Sequence, residues 1–243
     1  MKKYKENLKI LEEGGVYSKQ MEHDACGVGL VASTEGKKSR KIVEYGIQAL
    51  KAVWHRGAVD ADGKTGDGAG IHVEIPYDFF VEKIETKGHK HDNSEICVGM
   101  IFLPRDNFNA QEDCKTIVEK ELTQSNFKIY GWRQVPINTK VLGEKAKSNR
   151  PEITQILFKH NDKNLIDKEL ERSLYEIRRK IEKKVIKQNL EGFYICSLSS
   201  KSIIYKGMFL AETLSDFYSD LNDERFVSRF VIFHHKVFYK YIP

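Results

Sequence analysis

Cys26-Gly27-Val28-Gly29-Leu30-Val31-Ala32 is the stretch that most limits how this chain can fold. Val28, Leu30 and Ala32 share one face of a period-two strand, and the two glycines let another backbone or a ligand come close. The cysteine that opens the strand has two readings. It is a small buried hydrophobe, as free cysteines commonly are, or a nucleophile exposed when the chain before it is removed.

The second reading needs a base. A free α-amino group has a pKa of about 7.7–8.0, close to the value near 8.5 of a thiol. Cleavage between Ala25 and Cys26 would put that amine on the same residue as the sulfur, as in nucleophiles that use the chain terminus as base. No distant histidine is then required.

The setting excludes several other functions. The chain has 243 residues, 40% hydrophobic and 31% charged, which fits one large domain or two small ones with a real core. Its net charge of +5 is spread over lysine-rich faces, without a nucleic-acid-binding pattern. No apolar run approaches the ~20 residues of a membrane span. Met1 to Ala25 lacks the apolar centre of a secretory signal and reads as a leader or loosely docked arm, with Glu12-Glu13-Gly14-Gly15 ending any helix begun there. Four cysteines at 26, 97, 114 and 196 form no tight ligand spacing. No metal site is expected, and reduced thiols in a cytoplasmic setting are the default.

Ile42, Val43, Ile47, Leu50, Val53 and Trp54 recur at helical spacing and predict an amphipathic helix over about 39–54. It runs into His55-Arg56-Gly57-Ala58 and then a glycine-rich loop, Asp60 to Gly70. Gly66-Asp67-Gly68-Ala69-Gly70 lacks the Lys-Ser/Thr ending of a phosphate loop and precedes a strand, Ile71 to Pro76, where a nucleotide loop precedes a helix. Arg56 is the better binding candidate, since a guanidinium fork on such a turn suits a carboxylate; a surface ion pair or helix cap is the alternative.

Taken together, Asp24-Ala25-Cys26-Gly27-Val28-Gly29, His55-Arg56-Gly57-Ala58 and Asp60 to Ile71 resemble the N-terminal class II glutamine amidotransferase (glutaminase) domain of glutamate synthase large subunits. The third segment is the one closest to glutamate synthase in particular. The resemblance implies an α+β fold, the four-layer αββα sandwich of the N-terminal nucleophile hydrolases. It implies that Cys26 attacks the side-chain amide of L-glutamine, forming a γ-glutamyl thioester and releasing ammonia, before water frees glutamate. Arg56 would grip the substrate α-carboxylate, with Gly57 leaving room beside it. The FMN and iron–sulfur cluster of a full glutamate synthase would lie outside this chain, which is expected to need no cofactor of its own.

The remaining residues predict strands over 96–104, 128–137 and 154–158, a helix over about 110–123, and a polar loop from Leu142 to Arg150. Cys97, Cys114 and Cys196 read as core packing, and Trp132 as a core or interface anchor. Leu165, Leu170, Leu174, Ile177, Ile181 and Val185 outline the longest helix, its arginines and lysines on a solvated face. Phe193–Leu198 and Ser202–Tyr205 are expected to pair as a hairpin.

The resemblance runs to about Phe233. Residues 1–25 are thus expected to be a propeptide-like leader, 26–233 a partial amidotransferase domain incomplete at its C-terminal end, and 234–243 a divergent tail. Lys236 stands where the family would carry an arginine, and no Asn-Gly dipeptide, the family's oxyanion-hole pair, occurs in the 243 residues. Losing one oxyanion donor commonly costs about 10²–10³ in turnover. A sheet meant to continue into later strands would also end on an unpaired edge. A metal reading of His234-His235 lacks acidic or cysteine partners nearby.

Three functions follow. One is the glutaminase part of glutamate synthase, with a separate downstream chain as candidate partner completing the site. Another is a catalytically inactive truncated remnant or partner-binding fragment. A third is an N-terminal nucleophile hydrolase for another amide, against which the Asp60–Ile71 loop argues. No nucleic-acid or membrane partner is expected.

Overall fold

The computed structural model describes residues 2–14, 26–57, 59–92 and 94–236. Helix α1 (Lys2–Glu13) stops at Gly14, as the glycine pair predicts, and residues 15–25 of the expected leader lie outside the described residues. Then follow β1 (Gly27–Ala32), α2 (Arg40–Ala52), β2 (Ala69–Glu74), α3 (Tyr77–Glu85) and β3 (Cys97–Leu103). Next come α4 (Phe108–Gln124), β4 (Phe127–Gln134), α5 (Glu144–Asn149), β5 (Glu152–His160) and α6 (Asp167–Lys187). The last are β6 (Tyr194–Ser199), β7 (Ser202–Gly207), α7 (Leu214–Phe217) and β8 (Phe230–His235).

The strands form two antiparallel four-stranded sheets, ordered β1-β8-β2-β7 and β4-β5-β3-β6. Helix α2 lies on the first sheet, and α4 and α6 lie together on the second, giving the expected α+β arrangement. In α2, Ser39 caps the start by accepting from the Ile42 N–H at 3.4 Å, and Val43, Gly46, Ile47 and Leu50 form the buried stripe. Gly46 lets α2 approach β8 closely, since an added Cβ would lie 2.5 Å from the Val231 side chain. In α6, Leu170, Leu174, Ile177, Ile181 and Val185 are buried, each worth about 1.5–3 kcal/mol of transfer free energy. Arg172–Glu176 and Arg178–Glu182 pairs lie off that stripe.

One core cluster unites α2, α3, β2, β7 and β8 with Val98, Met100, Ile153 and Leu157 of the second sheet. The other fills the space between that sheet and α4 and α6, with Cys97, Cys114 and Phe158 in it and Trp132 packed at its margin. Trp132 donates its indole N–H to Glu119 at 2.6 Å. A buried polar knot crosses the first cluster. Asp220 accepts both Arg133 nitrogens at 2.6 and 2.7 Å and the Tyr205 hydroxyl at 2.9 Å, and Gln155 bonds both Arg133 and Tyr205.

Two expectations are corrected. β6 and β7 do not pair as a hairpin: they belong to different sheets, and the turn between them carries the chain from one to the other. The segment 142–150 contains the short helix α5, held by Lys145–Asp60 at 2.6 Å and by Arg105, which donates to the carbonyls of Lys147 and Ser148. β8 is paired on both sides, and β1, the strand next to Cys26, borders the sheet.

Candidate active site

Cys26 is partly exposed and immediately precedes β1. The other three cysteines are free and buried. Burial pushes the Cys97 thiol well above its ordinary value, Cys114 up to about 11 and Cys196 up to about 12. All three are core packing, as the sequence predicts, and none is fit to act as a thiolate. Gly27 lies directly opposite His235 on β8, and an atom added at Gly29 would sit 2.2 Å from the Phe233 ring. Gly29 therefore serves close approach of the Phe233 ring on the neighbouring strand.

Helix α2 ends at Val53 and passes into a 3-10 turn, Trp54–Arg56, so Trp54 falls outside the α-helix expected to contain it. The Gly57 N–H donates to the Trp54 carbonyl at 3.0 Å. Gly57 is extended, so its φ does not demand glycine; space does, because an added Cβ would lie 2.0 Å from both Cε1 and Nε2 of His235. The Arg56 backbone closes the turn, and its side chain lies outside the described residues.

The glycine-rich loop is closed on itself rather than open to a phosphate. The Asp62 carboxylate accepts from the backbone N–H of Lys64 and Thr65 and from the Thr65 hydroxyl, at 2.9, 2.7 and 2.6 Å. The Thr65 hydroxyl, followed by these backbone donors, brings the Asp62 pKa down to about 2. Lys145 pairs with Asp60, and Gly66 passes against the Phe209 carbonyl. Gly68, at φ 133°, takes a conformation suited to glycine, and its carbonyl accepts from the Lys236 N–H at 2.8 Å.

His235 is the residue that sequence reasoning missed. It is 1% exposed, its Nδ1 lies 3.3 Å from the Val53 carbonyl, and its Nε2 is buried with no hydrogen-bond partner among the described residues. The available signal was alternation: Val231, Phe233 and His235 are buried, while Ile232 and His234 are exposed. Adjacent strand residues point to opposite faces, so His234 and His235 do not converge on one ion. Among the described residues no group of three or more His, Cys, Asp or Glu is arranged to hold a metal, and no helix is long and apolar enough to cross a membrane.

Two antiparallel sheets with helices against them, and a partly exposed cysteine opening the first strand, define an α+β fold of the N-terminal nucleophile type. The family model described as "Glutamine amidotransferases class-II" matches residues 26–241, and the chain belongs to that family. The match takes in His234, His235 and Lys236, within the segment set apart from sequence as a divergent tail. The large chain of NADPH glutamate synthase from Azospirillum brasilense is 54% identical over 96% of this chain and 15% of its own length. Ferredoxin-dependent glutamate synthase of Pyropia yezoensis is 38% identical over 94% of this chain and 15% of its own. Ferredoxin-dependent glutamate synthase 2 of Synechocystis sp. is 39% identical over 88% and 14%. The chain thus spans about 15% of the length of these curated relatives.

Proposed function

We propose that this chain is the glutamine-hydrolysing part of a glutamate synthase, working in the cytoplasm, where four free cysteines are at home. The observation that carries the proposal is the contrast among its cysteines: Cys26 alone is not buried, and it opens a glycine-spaced strand at the start of the family match. Removal of residues 1–25 makes Cys26 the terminus. Its α-amine takes the thiol proton, the sulfur attacks the side-chain carbonyl of L-glutamine, and the same amine protonates the departing ammonia. Water then hydrolyses the thioester to glutamate. Arg56 binds the substrate α-carboxylate with Gly57 beside it in the same turn, and the room at Gly57 is taken by the His235 ring.

These steps need no cofactor in this domain. The FMN and iron–sulfur cluster of a full glutamate synthase belong to its other parts, and a separate downstream chain is a candidate partner for completing the site.

A second reading, a non-catalytic fragment, is favoured by one observation: Lys236 stands where the family resemblance calls for an arginine, and a lysine does not make the same bidentate contact. Glutamine-dependent ammonia release separates the two. The glutaminase reading requires a rate for the processed chain well above that of Cys26→Ala, together with a covalent adduct on Cys26 from a glutamine-mimicking diazoketone. Equal rates and no adduct overturn it in favour of the fragment.

A further inference from the structure

Three separate pieces of the candidate site meet at one position of β8, two through its backbone and one through its side chain. His235 lies directly opposite Gly27, the residue after Cys26, on one side of β8, and opposite Ala69, the first residue of β2, on the other. Its ring fills the space beside Gly57, and its Nδ1 faces the Val53 carbonyl at the end of α2, 3.3 Å away. The following residue, Lys236, donates its N–H to the Gly68 carbonyl.

We infer that His235 is the positioning residue of this site, the clamp that fixes the Cys26 strand, the Arg56–Gly57 turn and the end of the glycine-rich loop relative to one another. The inference rests on the proposed glutaminase reading for what the clamp serves, but the clamp stands on geometry alone.

Chemistry supports a dedicated role. An imidazole nitrogen facing a backbone carbonyl serves it as an N–H donor. The Nε2 of His235 is packed against Gly57 with no hydrogen-bond partner among the described residues, an arrangement that costs folding free energy. A leucine would fill the same core position without that cost, but could not hold the Val53 carbonyl. The contact with Gly57 also explains why that position is glycine although its backbone is extended: a side chain there would push the ring away and release Val53. The Arg56 turn would then lose its tie to the sheet that carries Cys26.

The test compares the full chain with His235→Ala and His235→Asn, the asparagine amide replacing Nδ1 as donor to Val53. Hydrogen–deuterium exchange is followed in peptides covering residues 26–32, 53–57 and 66–70. Alongside it, the glutamine concentration that half-protects Cys26 from iodoacetamide is measured. In His235→Ala, exchange is expected to rise at least tenfold in all three segments but not in α4 or α6, and the half-protecting concentration to rise at least tenfold. The rate of alkylation without glutamine should stay within twofold. His235→Asn should recover most of both effects, which a general loss of packing would not allow. A uniform rise in exchange, or a half-protecting concentration within twofold of the wild type, overturns the clamp. If glutamine does not protect the wild-type chain at all, the glutaminase reading fails, and the exchange pattern alone decides the role of His235.

Discussion

Removing the Asp220 carboxylate should be among the most damaging single changes to the fold. Its side chain is 3% exposed and pairs with an Arg133 guanidinium that is 12% exposed. Asp220→Ala leaves that guanidinium buried without this carboxylate and takes one partner from the Tyr205 hydroxyl. Breaking a buried pair from one side costs about 3–5 kcal/mol. At this chain size each kcal/mol moves Tm by about 2–4 °C, so a fall of roughly 6–20 °C is expected. Replacing both charges with apolar groups of similar volume, as in Arg133→Met with Asp220→Leu, should cost much less, because no charge is left stranded. Urea unfolding followed by circular dichroism measures both, with stability read from the midpoint at constant slope. A loss under about 1 kcal/mol for Asp220→Ala, or a double variant no more stable than that single one, would refute the reasoning.

Three further outcomes follow. Native-state iodoacetamide should add one label, at Cys26; intact mass showing two or more labels before unfolding would mean that the core around Cys97, Cys114 or Cys196 is open. Gly29→Ala should destabilise by about 1–3 kcal/mol, because the new methyl meets the Phe233 ring and β1 must shift; an unchanged urea midpoint counts against the observed strand spacing. The Asp62 carboxylate, depressed from 3.8 to about 2, lends its loop a contribution that is complete above pH 3.8 and disappears as pH drops through about 2. Hydrogen exchange at Thr65 should therefore be the same at pH 5 and pH 4 after correction for intrinsic rate, and an Asp62 carbon-13 titration centred near 4 would contradict it.

Elements with strong local periodicity were legible in the sequence. The apolar stripe of α6, the alternation of β1 and the buried run of β3 each depend on residues within a few positions, and their observed bounds differ by only a residue or two. Pairing was not legible. Ser199-Ser200-Lys201 looks like a hairpin turn, but the strands on either side find partners far away in the chain, β3 for β6 and β2 for β7. α5 is short and polar, and it owes its form to Arg105 and to the ion pair with Asp60, both distant in sequence. Within the site, Cys26 and the Arg56–Gly57 turn announce themselves by motif. His235 does not, because a histidine in the apolar phase of a strand carries no local sign of burial, and only the meeting of β1, β2 and the end of α2 gives it a task.

The placement of β8 also governs the order in which the molecule can assemble. Val53 and His235 are 182 residues apart, and β1 is joined to β2 only through β8 between them. Until residues 230–235 have been synthesised, the strand beside Cys26 has no strand to pair with among the described residues, whereas β3, β4, β5 and β6 can already form their own sheet. Contacts of such separation are slow to form. Nascent chains should therefore pass through a half-built species in which the second sheet is complete and the cysteine strand still hangs free, the stage at which aggregation and chaperone capture are most expected.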